Sequence, residues 1–162
     1  NPGPSTAYSG VGKVKNAGVP LVAINTTAGT AAEMTSNAVI IDSERQVKEV
    51  IIDPNLIPDI AVDDASVMLD IPPAVTAATG MDALTHAVEA YIGNSTTPGT
   101  RKNALDAVRL IFENLDTAYT HGNDIDQELY HGIHHATLRQ NTCYNTGKEY
   151  RTCSGVHNRR FH

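Results

Sequence analysis

Two side chains suited to shared chemistry stand four residues apart, Asp82 and His86, in the run Gly80-Met81-Asp82-Ala83-Leu84-Thr85-His86-Ala87-Val88-Glu89-Ala90-Tyr91. The run reads as a helix with apolar residues along one side and Asp82, Thr85, His86 and Glu89 along the other. Residues at i and i+4 hold their Cβ atoms roughly 6 Å apart, so a carboxylate and an imidazole there can reach one divalent ion at about 2.0–2.2 Å each. The same residues admit a plainer account. Thr79 followed three residues later by Asp82 fits a capping box, with Thr79 capping the helix, Asp82 reaching back to it and His86 an ordinary surface histidine.

A second group lies upstream in Asn25-Thr26-Thr27-Ala28-Gly29-Thr30-Ala31-Ala32-Glu33-Met34-Thr35, a small, hydroxyl-rich turn centred on Gly29. Backbone N–H groups and threonine hydroxyls exposed by such a turn are donors suited to a phosphate or a carboxamide. The turn is neither a G-x-G-x-x-G fingerprint nor a P-loop, and a purely structural turn uses the same residues. Downstream, His131, His134 and His135 fall at i, i+3 and i+4 without a carboxylate among them. Cys143, Cys153 and His157 do not match a zinc-finger spacing.

Several elements must position these groups. Residues 1–18 read as a loop leading to a short buried strand, Val19 to Ile24, which delivers the threonine turn. Asn37 to Ile41 and Val47 to Asp53 read as two strands of a hairpin closed by Asp42-Ser43-Glu44-Arg45. Lys48 at the start of the second strand is, by position, a solvated edge charge. Ile60 to Val62 forms a third short strand, and Asp64 caps a helical turn over Ala65 to Leu69. From Pro72 the pattern becomes helical: a first helix from Pro73 to Thr79, a reset at Gly80 into the helix carrying Asp82, and a loop from Gly93 to Gly99. Between Arg101 and Tyr119 apolar residues at 104, 105, 108, 111, 112, 115, 118 and 119 give the clearest amphipathic helix. A further helix opens at Asp124.

The chain has 162 residues, 41% of them hydrophobic, enough for one ordinary core, and no apolar stretch long enough to span a membrane. A net charge of −6 argues against nucleic acid or an anionic membrane as partner. Two cysteines build no disulfide framework, and the absence of a charged-then-apolar leader points to a cytoplasmic protein. The opening Asn1-Pro2-Gly3-Pro4 without methionine reads as the start of a fragment. Charge also shifts along the chain: residues 1–138 carry 7 Lys and Arg against 17 Asp and Glu, whereas residues 139–162 carry 5 against 1. That tail is basic, poor in aliphatic residues and without periodicity.

Two segments resemble the iron-containing (group III) alcohol dehydrogenases. Pro20 to Thr35, with Thr26-Thr27-Ala28-Gly29-Thr30 at its centre, is similar to the family's nicotinamide-binding segment. Ile71 to Tyr91, with Asp82-Ala83-Leu84-Thr85-His86, is similar to its metal-binding signature. The resemblance covers roughly residues 1–135 and is greatest to lactaldehyde reductases and to 1,3-propanediol and methanol dehydrogenases. It implies that Asp82 and His86 are two of four ligands of a catalytic ion, typically Fe2+ and in some members Zn2+. It also implies that Thr26, Thr27, Gly29, Thr30 and Lys48 contact NAD. The activity implied is hydride transfer between NAD(H) and a small primary alcohol, diol or aldehyde, in a homo-oligomer of full-length chains. The fold implied is a dehydroquinate synthase-like architecture, seen in part: the end of an α/β nucleotide-binding domain at residues 1–70, the start of an all-α metal-binding region at 71–138, and a divergent tail at 139–162. The family's preceding G-G-G-S turn is missing here. Its third ligand would fall near Glu149, Tyr150 and Arg151, none of them histidine, or on His157 with a shift. A non-catalytic remnant with incomplete metal and cofactor sites is the competing expectation.

Overall fold

In the computed structural model, residues 1–122 apart from Asp63 and Ser95 are described. Five strands and two long helices follow in order: β1 (Gly10–Val11), β2 (Val22–Ile24), β3 (Asn37–Asp42), β4 (Val47–Ile52), β5 (Ile60–Val62), α1 (Pro73–Ile92) and α2 (Pro98–Thr120). Short 3-10 turns stand at Ser5–Tyr8, Ala32–Met34, Pro54–Leu56 and Ala65–Met68. Among the described residues no helix is long and apolar enough to cross a membrane.

The hairpin forms as its alternation dictates. β3 and β4 pair antiparallel, Val39 opposite Val50 and Ile41 opposite Lys48, while β1 adds in parallel to the other side of β4. Asp42 shapes the connection, its carboxylate accepting from the N–H groups of Glu44 and Arg45 at 3.0 Å each, and Gln46 completes the turn with a left-handed φ of 55°. Arg45 then pairs with Asp42 at 2.7 Å and with Glu49, which also accepts from the Ser9 hydroxyl. The Arg45 amide holds the Asp42 carboxyl below the usual carboxylate range, and the Ser9 hydroxyl does the same for Glu49. A carboxyl depressed in the folded state contributes stability above the pKa it has when unfolded, and that contribution disappears as pH falls through the lowered value. Thermal unfolding followed between about pH 5 and 3 is therefore expected to steepen in the native protein and to flatten in Asp42→Asn; equal slopes would refute the role given to this carboxylate.

β2 and β5 form a separate parallel pair, Val22 to Ile24 beside Ile60 to Val62. The strand expected over Val19 to Ile24 is thus only three residues long, and it is not buried: Val22 and Ile24 are more than half exposed. Pro20 offers no N–H to a ladder, and Leu21 instead donates to the Asp59 carboxylate at 3.0 Å. Parallel strands bury both faces only where other elements cover them, and none of the described ones covers β2 in full. Residues 1–18 are more ordered than a loop. Asp53, itself buried, accepts from Val14 N–H and Asn55 N–H at 3.0 Å each and so fastens the N-terminal segment to the end of β4.

The helical half corrects the reading of Gly80. α1 runs unbroken for 20 residues from Pro73, with Pro72 as its cap residue, and Gly80 lies within it. The buried stripe Thr76, Gly80, Ala83, Ala87 and Ala90 is made of small residues, which lets α2 approach closely. A Cβ on Gly80 would collide with the Leu115 side chain. Ala83 and Ala87 share a cluster with Ala107 and Ile111, and with Gly80 near the start of α1 against Leu115 near the end of α2 the two helices run antiparallel. α2 starts three residues earlier than the periodicity indicates, because Pro98 is at home in the first turn and Thr97 Oγ1 accepts from Thr100 N–H at 3.1 Å. Asp64 caps Ala65–Met68 as expected, through Ser66 N–H at 2.9 Å, though the segment is a 3-10 turn.

Candidate functional site

The threonine turn begins directly after β2, at the carboxyl end of a parallel strand pair, which is where open α/β sheets place ligands. Asn25 N–H is still tied to the Val62 carbonyl at 3.2 Å. Beyond it the amides of Thr26, Thr27 and Gly29 have no backbone acceptor among the described residues. Thr26, Thr27 and Thr30 are exposed, whereas Ala28 and Gly29 are buried. Ala28 anchors the turn from below in a cluster with Met68 and Ala118 of α2. The turn closes through Ala31, a non-glycine residue at φ 47°, into the 3-10 turn Ala32–Met34, whose Glu33 is fully buried. Nothing in the local sequence announces that left-handed alanine.

Asp82 and His86 project from the flank of α1 beside its small-residue stripe, both partly exposed. Asp82 Oδ2 and His86 Nδ1 stand 3.9 Å apart, with side chains 43% and 37% exposed. Two donors on one ion at about 2.0–2.2 Å lie roughly 3–3.5 Å from each other, so a small side-chain rotation closes the pair on a cation. The capping box is ruled out. Thr79 is well inside α1, and its hydroxyl donates back to the Val75 carbonyl at 3.0 Å instead of capping anything.

The two groups meet through Gly29. A Cβ placed there would lie 3.1 Å from Thr79 Cβ, 3.4 Å from the Thr79 carbonyl oxygen and 3.5 Å from its Cα. Thr79, Asp82 and His86 follow at i, i+3 and i+7, one stripe of the helix, so the turn touches α1 one turn before the carboxylate. Sequence reasoning missed two members of this region. Thr79 was assigned to a cap, and Thr76, one turn earlier and 5% exposed, carries a hydroxyl without a hydrogen-bond partner among the described residues.

Lys48 is on the exposed face of the hairpin beside Val39, Val50 and Ile41, and no ion pair among the described residues engages it. Among the described residues no cluster of three or more His, Cys, Asp or Glu is placed to hold a metal. Among the described residues the donor pair Asp82 and His86 has no third such side chain beside it. His131, His134, His135, Cys143, Cys153, His157 and the positions 149–151 lie outside the described residues.

The architecture is an α/β unit joined to an all-α helical hairpin, with a donor-rich turn on one and a carboxylate-imidazole pair on the other. A sequence model of the iron-containing alcohol dehydrogenases matches residues 2–65, and one of the C-terminal part of the Fe-containing alcohol dehydrogenase family matches residues 76–139. The chain belongs to the iron-containing alcohol dehydrogenase family. It is 51% identical over 117 residues to alcohol dehydrogenase 4 of Saccharomyces cerevisiae, covering 72% of this chain and 31% of that protein. With the NAD-dependent methanol dehydrogenase of Bacillus methanolicus it shares 44% identity over 147 residues, 91% of this chain and 38% of the other. A crystal structure of a 1,3-propanediol oxidoreductase superposes with a TM-score of 0.83 at 40% identity, over 89% of this chain and 37% of that one. The chain thus spans about a third of the length of these relatives.

Proposed function

We propose that the full-length protein transfers hydride between NAD(H) and a small primary alcohol or diol and the corresponding aldehyde, with a divalent ion at Asp82 and His86. The observation that carries this reading is the contact of Gly29 with Thr79, which sets the turn carrying the amides of Thr26, Thr27 and Gly29 against the helix bearing Asp82 and His86. In this reading Thr26, Thr27, Gly29 and Thr30 receive the cofactor and Lys48 adds a positive charge for it. When bound, Fe2+, or Zn2+ in its place, supplies Lewis-acid polarisation of the substrate oxygen. Asp82 and His86 hold that charge, and the turn aligns the nicotinamide. In the oxidative direction the alcohol carbon gives a hydride to NAD+, the hydroxyl proton goes to solvent, and aldehyde and NADH leave.

The same reading divides the chain into the end of a nucleotide domain (1–70), the start of a helical metal domain (71–138) and a divergent tail (139–162), within a dehydroquinate synthase-like whole. It places the enzyme in the cytoplasm as a homo-oligomer. One observation favours a second reading for the chain alone: the described residues supply two metal ligands and no third. In this second reading the 162-residue chain by itself is a catalytically silent piece. Purified full-length protein with Fe2+, NAD+ and 1-propanol or 1,3-propanediol is expected to produce NADH, and the 162-residue chain to produce none. Absence of turnover by the full-length protein on every small primary alcohol offered would refute the proposal, and turnover by the short chain would refute its silence.

A further inference from the structure

We infer that Gly29 and Thr79 form a spacing contact that couples the cofactor turn to the metal-bearing helix, with Thr79 as a positioning residue for Asp82 and His86. The inference rests on the function proposed above. Gly29 is not among the glycines with positive φ, which are Gly3, Gly10 and Gly12, so its backbone suits an alanine. What excludes a side chain there is Thr79. The 3.1 Å approach to Thr79 Cβ is tighter than ordinary van der Waals contact, while the approaches to its carbonyl oxygen and Cα, at 3.4 and 3.5 Å, are ordinary.

Neither partner can give way easily. A Cβ is fixed by its backbone, so no rotamer of Thr79 relieves the contact. The helix behind it is braced, since Gly80 lies against Leu115 and Ala83 and Ala87 are packed on Ala107 and Ile111. The turn is braced as well, through Ala28 against Met68 and Ala118. The contact is therefore close to backbone on backbone, with no long flexible side chain between. Asp82 follows Thr79 by about 4.5 Å along the helix axis and His86 by about 10.5 Å. A shift imposed at residue 79 passes to the ligand pair undiminished, and the distance between nicotinamide and ion is set at this one point.

A cycle of three variants in the full-length protein tests it: Gly29→Ala, Thr79→Gly and the double variant, with NADH affinity read by fluorescence, kcat by turnover and iron by elemental analysis. Gly29→Ala is expected to weaken NADH binding and lower kcat by about 10- to 100-fold, as a misplacement of several tenths of an ångström does, while iron per chain stays at the native level. Thr79→Gly removes the Cβ in the way and leaves only the two ordinary contacts, so the double variant is expected to regain most of the NADH affinity. Two sites that share no contact make the two losses add, and a contact that serves the fold alone moves the unfolding midpoint while leaving NADH affinity and kcat per folded chain at the native level. Native protein that binds NADH with additive losses in the cycle overturns the inference and leaves the proposed function standing. Native protein that binds neither NADH nor iron overturns both. If Gly29→Ala alone does not fold, recovery of NADH-binding protein on adding Thr79→Gly supports the contact, and failure to recover overturns it.

Discussion

Replacing His86 by alanine in the full-length protein is expected to lower kcat/KM for a small primary alcohol by at least about 100-fold and to strip most of the bound iron. Changes to groups that merely orient metal ligands already cost about 10- to 100-fold in affinity or activity, so loss of a ligand sets that range as a floor. The fold should be indifferent to the change. His86 is partly exposed on the flank of α1 and is not one of its buried positions, and alanine is the better helix former. Its nearest charged neighbour, Asp82 at 3.9 Å, is itself partly exposed, so no buried charge is stranded. Iron content, steady-state kinetics and far-UV circular dichroism together discriminate. Native iron and native turnover in His86→Ala would reduce the residue to a surface histidine; lost turnover with an altered spectrum would make it structural. Asp82→Asn should repeat the pattern more mildly, since the amide keeps one neutral oxygen donor.

How far the sequence showed this arrangement depends on whether the signal was local. The hairpin was legible because period-two alternation in Asn37 to Ile41 and in Val47 to Ile52, with Asp42 closing the turn, specifies register through neighbours in the chain. The parallel pair β2 and β5 was not, since its partners are separated by the threonine turn and the whole hairpin, and nothing in Val22 to Ile24 marks Ile60 to Val62 as the complement. Gly80 was misread for a physical reason. Glycine costs a helix interior roughly 1 kcal/mol, so it counts as a break when only propensity is considered. It is retained because Leu115 occupies the space of its side chain, a contact made by a helix 35 residues away in sequence. The proximity of Asp82 and His86 was legible from their i, i+4 spacing on a helix. Their relation to the turn was not, because it passes through Gly29, where the signal is an atom that is absent.

The interface behind the ligand pair predicts the largest effect on stability. Ile111 is 1% exposed and is the one bulky member of a buried cluster otherwise made of Ala83, Ala87 and Ala107. Truncation to alanine removes the side chain that fills the seam. The buried alanines cannot extend into the gap, Leu84, Val108, Leu110 and Leu115 fill it only in part from the rim, and the helices cannot close on it, because Gly80 already brings α1 up against Leu115 a turn away. Ile111→Ala is therefore expected to cost about 2–5 kcal/mol. Arg109→Ala, two residues earlier and outward-facing, breaks only the surface pair with Glu113 at 2.9 Å, and is expected to cost about 0.3–0.5 kcal/mol. Urea unfolding followed by circular dichroism reads both: the midpoint should fall markedly for Ile111→Ala with little change in slope, and barely move for Arg109→Ala. Equal midpoints for the two variants would mean that the α1 and α2 seam is not what holds the helical half together. Ile111→Ala should also weaken iron retention without touching a ligand. Asp82 and His86 sit on the flank of α1, and the helix presents them at a constant distance from the threonine turn only while its inner face remains seated on α2.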